Sequence, residues 1–293
     1  MSIPAEDRLQ QFKRDGYTVF QDLFSEPLMR RWRTRYAGLA AAAALPGKPP
    51  TAWVANVLEF DPPLFLPLAA HPDLLDFAEQ VMGPTVQLDS TAFNVFPNVP
   101  KETAVDVVNG WHRDRYSEVP EGTDYIVPNG VNAIVYLQDL TVASGPLRVI
   151  PGSHRLPLHF SAEERSRPHK DEVLLHPKAG DVVFTHGAIV HSGTPNTSGG
   201  PRYFLSAYYN RSWMRHRDNH AGPRVEALIA DARERGDLRL LRLLGIDAKR
   251  WDRCNPYFQT GSQESRWAAW AAEDRAELRA PLVLEEPGLE QAA

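Results

Sequence analysis

The sequence predicts a mainly β protein with flanking helices, built as a sandwich, jelly roll or barrel. Three observations point to it. From Pro84 onward the spacing of apolar residues changes from helical toward two. Short strand-like runs then follow one another, separated by Gly, Pro and Asn turn signals. Helical periodicity brackets this region on both sides. Many short strands with Gly/Pro turns favour two packed sheets or a closed barrel.

The elements follow in order. Ala5–Asp15 carries Leu9 and Phe12 on one face, and Gly16 can end it. Ser25 is an N-cap with Pro27 in the first turn, and Leu28, Trp32, Tyr36 and Leu39 recur at helical spacing behind it. The run Ala40–Ala44 continues that helix. Pro72–Met82 places Leu75, Ala78 and Met82 on one stripe and stops at Gly83. The candidate strands are Val86–Phe96, Gly110–Tyr116, Val131–Leu137, Leu147–Ile150, Glu172–His176, Asp181–Thr185, Ile189–Ser192 and Arg202–Asn210. Between them, Ser153–Lys170 is polar and basic with little period, and reads as a long surface loop with the reach of a lid. Helices return at Arg224–Arg235, Leu238–Leu244 and Glu264–Glu277, and the tail after Pro281 reads as frayed. No internal repeat or interdomain linker is visible. The expectation is one domain over 1–293, with a core over about 84–210, N-terminal helices over 1–83 and a C-terminal helical region over 222–280.

Bulk properties narrow the function. At 293 residues and 43% hydrophobic, the chain suffices for one well-packed core. A formal charge of −5 argues against nucleic acid or an anionic membrane as the main partner. Cys254 is the single cysteine, so no internal disulfide forms and a reducing cytoplasm fits. The segment MSIPAEDRLQQFKRDG lacks an apolar signal core, and no apolar run approaches the roughly 20 residues of a membrane span.

The chemistry starts at NGWHRDRYS, Asn109–Ser117. In a strand, side chains two apart share a face, so His112 and Asp114 project together. A carboxylate buried beside a histidine is costly unless a cation pairs it. A divalent metal would do so, as in the 2-His-1-carboxylate arrangement. A structural hydrogen-bonded pair is the competing explanation for these residues alone. His191, at the end of the apolar strand in GDVVFTHGAIVHSGTPNTSGGPR, is the best third ligand, with His186 as its competitor. Arg202 follows eleven residues after His191 and opens the run RYFLSAYYN. If it points inward it needs an anion, and its planar fork suits a carboxylate; a rim arginine in water is the alternative.

Taken together, WHRD, GPLRVIPGSHR, the His191-to-Arg202 spacing and the opening DGYTVFQDLFS (Asp15–Ser25) resemble the phytanoyl-CoA dioxygenase-like (PhyH) family of Fe(II)/2-oxoglutarate-dependent oxygenases, from about Phe12 to Tyr209. The resemblance implies a double-stranded β-helix, which is a distorted, cupin-like jelly roll. It implies Fe(II) held by His112, Asp114 and His191, with 2-oxoglutarate as cosubstrate and O2 as oxidant. It also implies that Arg202 pairs with the far carboxylate of 2-oxoglutarate. Relatives commonly place a serine two residues after the distal histidine; here that position is Gly193, with Thr194 or Ser192 as substitutes. Strand parity adds further candidates. Ser90, Ala92, Asn94 and Phe96 share a face taken as the inner one, which makes Asn94 a cosubstrate or substrate contact. Asn132, Ile134 and Tyr136 should line the same cavity, and the resemblance implies that the position of Ile134, aromatic in some relatives, packs near 2-oxoglutarate. Asn132, Tyr136, Ser206 and Arg211 are candidates for the substrate pocket. His154, His159, His169 and His176 read as hydrogen-bonded loop residues. The stretch Arg211–His220 reads as a solvated basic loop or a pocket rim.

Relatives that halogenate replace the carboxylate ligand by a small residue. With Asp114 present, hydroxylation or a related oxidation is expected, without chlorination. The expected substrate is a small natural product or amino-acid-like molecule. An acyl-CoA is the alternative, although it would want a basic trough for its phosphates. A cupin-like metal hydrolase or isomerase, and a barrel that binds without turnover, are the rival classes.

Overall fold

The computed structural model describes residues 5–43, 53–114, 117–121, 127–255, 260–282 and 284. Among them the element order is α1 (Ala5–Asp15), β1 (Tyr17–Phe20), α2 (Glu26–Ala43), β2 (Trp53–Ala55), α3 (Val57–Phe60), α4 (Pro62–Ala69), α5 (Pro72–Met82), β3 (Val86–Phe96), β4 (Gly130–Tyr136), β5 (Leu147–Val149), β6 (Val173–Leu175), β7 (Val182–His186), β8 (His191–Gly193), β9 (Arg202–Arg211), α6 (Pro223–Arg235), α7 (Leu238–Leu243), α8 (Arg250–Cys254) and α9 (Gln263–Glu277). The bounds of α1, α5 and β3 match those read from the sequence. Ala44 and residues 115–116 of the expected strand Gly110–Tyr116 lie outside the described residues, as does most of the tail after Pro281.

Two sheets carry the jelly roll. One has six strands in the order β1-β7-β4-β9-β3-β2, the other three in the order β6-β5-β8. β7 pairs antiparallel with β1 and β4, and β5 pairs antiparallel with β6 and β8. Tyr17, Ile134, Tyr136 and Val183 of the larger sheet share one apolar cluster with Leu147 and Val149 of the smaller, so the space between the sheets is the core. The opposite face of the larger sheet is covered by helices. Phe12 of α1 packs edge-on against Phe184 at 6.0 Å, and Tyr36 of α2 stacks on Phe93 at 4.5 Å.

The chain divides into two compact units, Met1–Val54 with Ala92–Ser206, and Ala55–Thr91 with Ala207–Ala293. This division separates helices that the sequence reading grouped together. α1 and α2 belong with the sheet core, whereas α3–α5 belong with the C-terminal helices. Charge is one reason α5 sides with them: Glu79 meets Arg239 and Arg242 of α7, and Asp274 of α9 accepts from Arg242 and Arg253 at 2.7 Å each. Burial would raise Asp274, but these guanidiniums hold it below the usual carboxylate range.

Within the second unit the stretch Arg211–His220 is only in part a solvated basic loop: Arg215 and Arg217 are exposed, but other members pack inward. Ser212, Asp218 and His220 are buried, and Nε2 of His220 lies 3.1 Å from the Leu88 carbonyl. Asp218 Oδ2 accepts from the Thr91 backbone N–H at 2.6 Å and from its hydroxyl at 3.1 Å. Burial, helped by nearby Asp89, nevertheless pushes Asp218 up from 3.8 to about 6. The folded protein then holds this proton to higher pH than the unfolded chain does. The group's stabilisation is fully present below the unfolded value and is lost as pH rises toward about 6. Asp218→Asn cannot ionise. Wild type is expected to lose about 2 kcal/mol of stability relative to Asp218→Asn between about pH 4.5 and 7, read by urea denaturation. A pH-independent difference between the two would contradict this.

Candidate metal centre

His112 and His191 are backbone partners across an isolated antiparallel bridge. The His112 N–H donates to the His191 carbonyl at 3.1 Å, and the His191 N–H to the His112 carbonyl at 3.0 Å. In β8, His191 sits opposite Val149 of β5, and residues directly opposite in an antiparallel pair project to the same face. Val149 is in the core between the sheets, so His191 faces inward as well. The Asp114 N–H is tied to the Gly187 carbonyl at 2.9 Å. The expected strand Gly110–Tyr116 is not a strand over its described residues; it makes only the single bridge His112↔His191. On its other side the backbone bonds to a turn. Val108 N–H donates to Ser166 and Trp111 N–H to Arg165, both at 2.9 Å, and the Trp111 indole donates to Arg167 at 2.8 Å.

His112, Asp114 and His191 bring their ligand atoms within 4.8 Å of one another, with Asp114 Oδ1 at 3.8 Å from His191 Nε2. Nδ1 of His112 lies 2.9 Å from the Gly110 carbonyl, and Nδ1 of His191 lies 3.1 Å from the Ile189 carbonyl. A carbonyl only accepts, so both Nδ1 atoms carry the proton and both Nε2 lone pairs are left for a metal. The facing His191, and secondarily desolvation, push His112 down to about 4, so it is neutral at pH 7. The donor set fits a divalent cation with open positions. His186 is not part of it. Its Nδ1 accepts from the Ala188 N–H at 3.0 Å, and its ring lies beside Phe12 and His154.

Arg113, which the sequence reading did not single out, braces the ligands. Its guanidinium donates to the carbonyls of Ser153 at 2.9 Å, Leu156 at 2.5 Å and Ala188. It thereby fastens the His112–Asp114 segment to the GSHR turn and to the approach to His191. The signal was its opposite parity between the two ligands.

Arg202 is 2% exposed. Its Nη1 donates to the carbonyls of Ser144 at 3.1 Å, Thr194 at 3.0 Å and Gly145, and the guanidinium lies 4.4 Å over the Phe96 ring. Its Nε is buried without a hydrogen bond, and no carboxylate pairs with it among the described residues. Burial lowers Arg202 from the ordinary arginine value, a penalty that an incoming anion would relieve. The socket fits a carboxylate such as the far one of 2-oxoglutarate.

The remaining candidates divide. Phe96 meets Arg202 and Phe204, while Phe93 meets Tyr36 on the helix side, so Asn94 and Ser206 face inward by parity. Ile134 and Tyr136 lie in the core cluster, with Tyr136 at 5.6 Å from Phe204. Asn132 is 2% exposed with its Oδ1 buried and unbonded. Thr194 contributes its carbonyl to Arg202, but its hydroxyl is taken by Arg148 Nε at 2.8 Å. Ser192 lies opposite Arg148, on the outward parity, and its hydroxyl donates to the Gly193 carbonyl at 3.3 Å. Arg211 is not brought to the site. It belongs to the second unit, where it donates to the Met82 carbonyl at 2.6 Å and lies over Trp213. A cleft of 620 Å³ opens against Asp114, walled by Ser117, Glu118, Leu158 and His159 among others.

Comparison with known proteins agrees with this geometry. The phytanoyl-CoA dioxygenase (PhyH) family model matches residues 12–204. L-proline trans-4-hydroxylase of Streptomyces griseoviridis is 26% identical over 247 residues, covering 72% of this chain and 88% of that protein. Ectoine dioxygenase of Sphingopyxis alaskensis is 28% identical over 207 residues, 64% of each chain. The structure of HygX from Streptomyces hygroscopicus with nickel and 2-oxoglutarate bound superposes with a TM-score of 0.60 at 19% identity, over 75% of this chain and 92% of that one, which supports the jelly-roll fold. The chain belongs to the phytanoyl-CoA dioxygenase (PhyH) family and is an Fe(II)/2-oxoglutarate-dependent oxygenase.

Proposed function

We propose that this oxygenase hydroxylates, or otherwise oxidises, a small natural-product or amino-acid-like molecule held in the cleft beside Asp114. The observation that carries the reading is the pairing of the His112–Asp114–His191 cluster with Arg202, a buried cation that has no counter-charge among the described residues. When bound, Fe(II) and 2-oxoglutarate supply an oxidation by O2 that releases succinate and carbon dioxide. The protein's part is binding, orientation and exclusion of water. His112, Asp114 and His191 hold the metal through two Nε2 atoms and a carboxylate oxygen. Arg202 takes the far carboxylate of 2-oxoglutarate, and Ile134, Tyr136 and Phe204 cover the cosubstrate's carbon chain with apolar surface. Asn94, Asn132 and Ser206 offer polar groups to cosubstrate or substrate from the inner face. A small substrate is favoured over an acyl-CoA by the cleft itself. Arg113 is the arginine among its described walls, and its guanidinium is engaged by three backbone carbonyls, which leaves it poorly placed for phosphates. The relatives named for proline and ectoine point the same way. We read 1–293 as one catalytic domain working in a reducing cytoplasm, in line with its single cysteine.

The test is succinate release by the purified enzyme with Fe(II), 2-oxoglutarate and O2, against a panel of amino acids, cyclic imino acids and acyl-CoA thioesters. Succinate should rise above the uncoupled background with a member of the first two classes, together with a product heavier by one oxygen or lighter by two hydrogens. Stimulation by acyl-CoA alone would replace the substrate assignment. Metal binding without succinate under every condition would favour a barrel that binds without turnover.

A further inference from the structure

The family resemblance leads to a serine at the position of Gly193, and the surroundings of this glycine differ from what a missing hydroxyl alone would leave. A Cβ at Gly193 would lie 3.0 Å from Asn109 Nδ2 and 3.2 Å from Arg202 Nη2. Two donors therefore converge on one point, on the inward side of β8. The Asn109 backbone is fixed there, since its N–H donates to the Gly193 carbonyl at 2.9 Å. Asn109 is exposed, and its carboxamide has no hydrogen-bond partner among the described residues. The two hydroxyls that could stand in for the serine are otherwise placed, Thr194 on Arg148 and Ser192 on the outward parity.

We propose that Asn109 supplies the second donor to the far carboxylate of 2-oxoglutarate, beside Arg202, and that Gly193 is bare because a side chain there would push these two donors away. The inference rests on the 2-oxoglutarate reading above. One carboxylate oxygen takes the Arg202 guanidinium and the other takes the Asn109 side-chain N–H, so that a cation and a neutral donor from the segment facing β8 share the group. A bond from a neutral donor to a charged acceptor, partly open to water, is worth about tenfold in affinity.

The experiment is an anaerobic titration of the Fe(II)-loaded protein, following the weak visible charge-transfer band of the 2-oxo acid complex. It compares 2-oxoglutarate with 2-oxopentanoate, which has a methyl group where the far carboxylate would be. Asn109→Ala should weaken 2-oxoglutarate about tenfold and leave 2-oxopentanoate unchanged. Asn109→Asp, which sets a second carboxylate against the first, should weaken 2-oxoglutarate further. Gly193→Ser alone should weaken 2-oxoglutarate, yet the same substitution in the Asn109→Ala background should restore part of the affinity, because the tighter of the two contacts, with Asn109, is gone and a hydroxyl has arrived. The proposal is overturned if Asn109→Ala binds 2-oxoglutarate within twofold of wild type, or if it weakens both ligands equally, which is the signature of a structural role. A wild-type protein that binds iron but no 2-oxo acid would overturn the underlying reading instead.

Discussion

His191→Ala is expected to abolish iron binding and succinate formation while leaving a folded protein. His191 is the ligand fixed from two sides, by β5 and by the segment that carries His112. β5 fixes its direction through the Val149 pairing, and its backbone exchanges two hydrogen bonds with His112. Alanine keeps those backbone bonds, so the bridge between the ligand segments survives. What goes is one Nε2 of a three-ligand set and the 3.8 Å neighbour of the Asp114 carboxylate. Loss of an outer hydrogen-bond partner of a ligand already costs about 10–100-fold in metal affinity, so loss of the ligand itself should exceed about 100-fold. Asp114 also loses the metal that would compensate its buried charge. Anaerobic Fe(II) titration reads the first effect and succinate release the second. His186→Ala is the matched control, because His186 packs beside Phe12 and His154 outside the cluster. It should keep iron affinity within a few-fold of wild type. Equal losses in the two variants would mean that the histidines act through the fold and not as ligands.

The metal cluster was legible because its signals are local. The spacing in His112-x-Asp114 survives even though the segment is a single bridge and not a strand, since each residue's backbone is pinned separately, one to His191 and one to Gly187. Strand β3 and helix α5 were legible for a similar reason: each has a clean period and a turn residue at its end. What failed were positions decided by distant chain. Helix α4, PPLFLPLA, is buried on nearly all sides and carries Pro67, so it has neither the stripe nor the composition of an amphipathic helix. Arg211 does not share a compact unit with Arg202, because the division between the units falls within β9, and parity does not reveal such a boundary. Asn109 escaped notice because its partner positions, Gly193 and Arg202, are more than eighty residues away.

Gly145→Ala should cost the enzyme its 2-oxoglutarate affinity, by more than about 30-fold, without touching the iron ligands. Gly145 holds φ +84, a left-handed conformation that costs an L-residue roughly 1–2 kcal/mol. Its missing side chain is also spoken for. A Cβ would lie 2.5 Å from Arg202 Nη1, 2.5 Å from the Thr194 carbonyl and 2.8 Å from the Pro195 carbonyl. Two of those atoms are backbone, so the least resistant is the guanidinium, which would be driven off the carbonyls of Ser144, Gly145 and Thr194 that aim it. Backbone strain and overpacking together should also lower stability by about 3 kcal/mol. Arg202→Leu separates the two effects. It removes a buried cation that has no counter-charge among the described residues, so affinity for 2-oxoglutarate should collapse while stability stays level or rises. The 2-oxo acid titration and a denaturant curve on each variant read both quantities. If Gly145→Ala bound 2-oxoglutarate like wild type, the guanidinium would not be held by the contacts described here. If Arg202→Leu were strongly destabilised, the arginine would be a structural brace, and its buried Nε would not mark an anion socket.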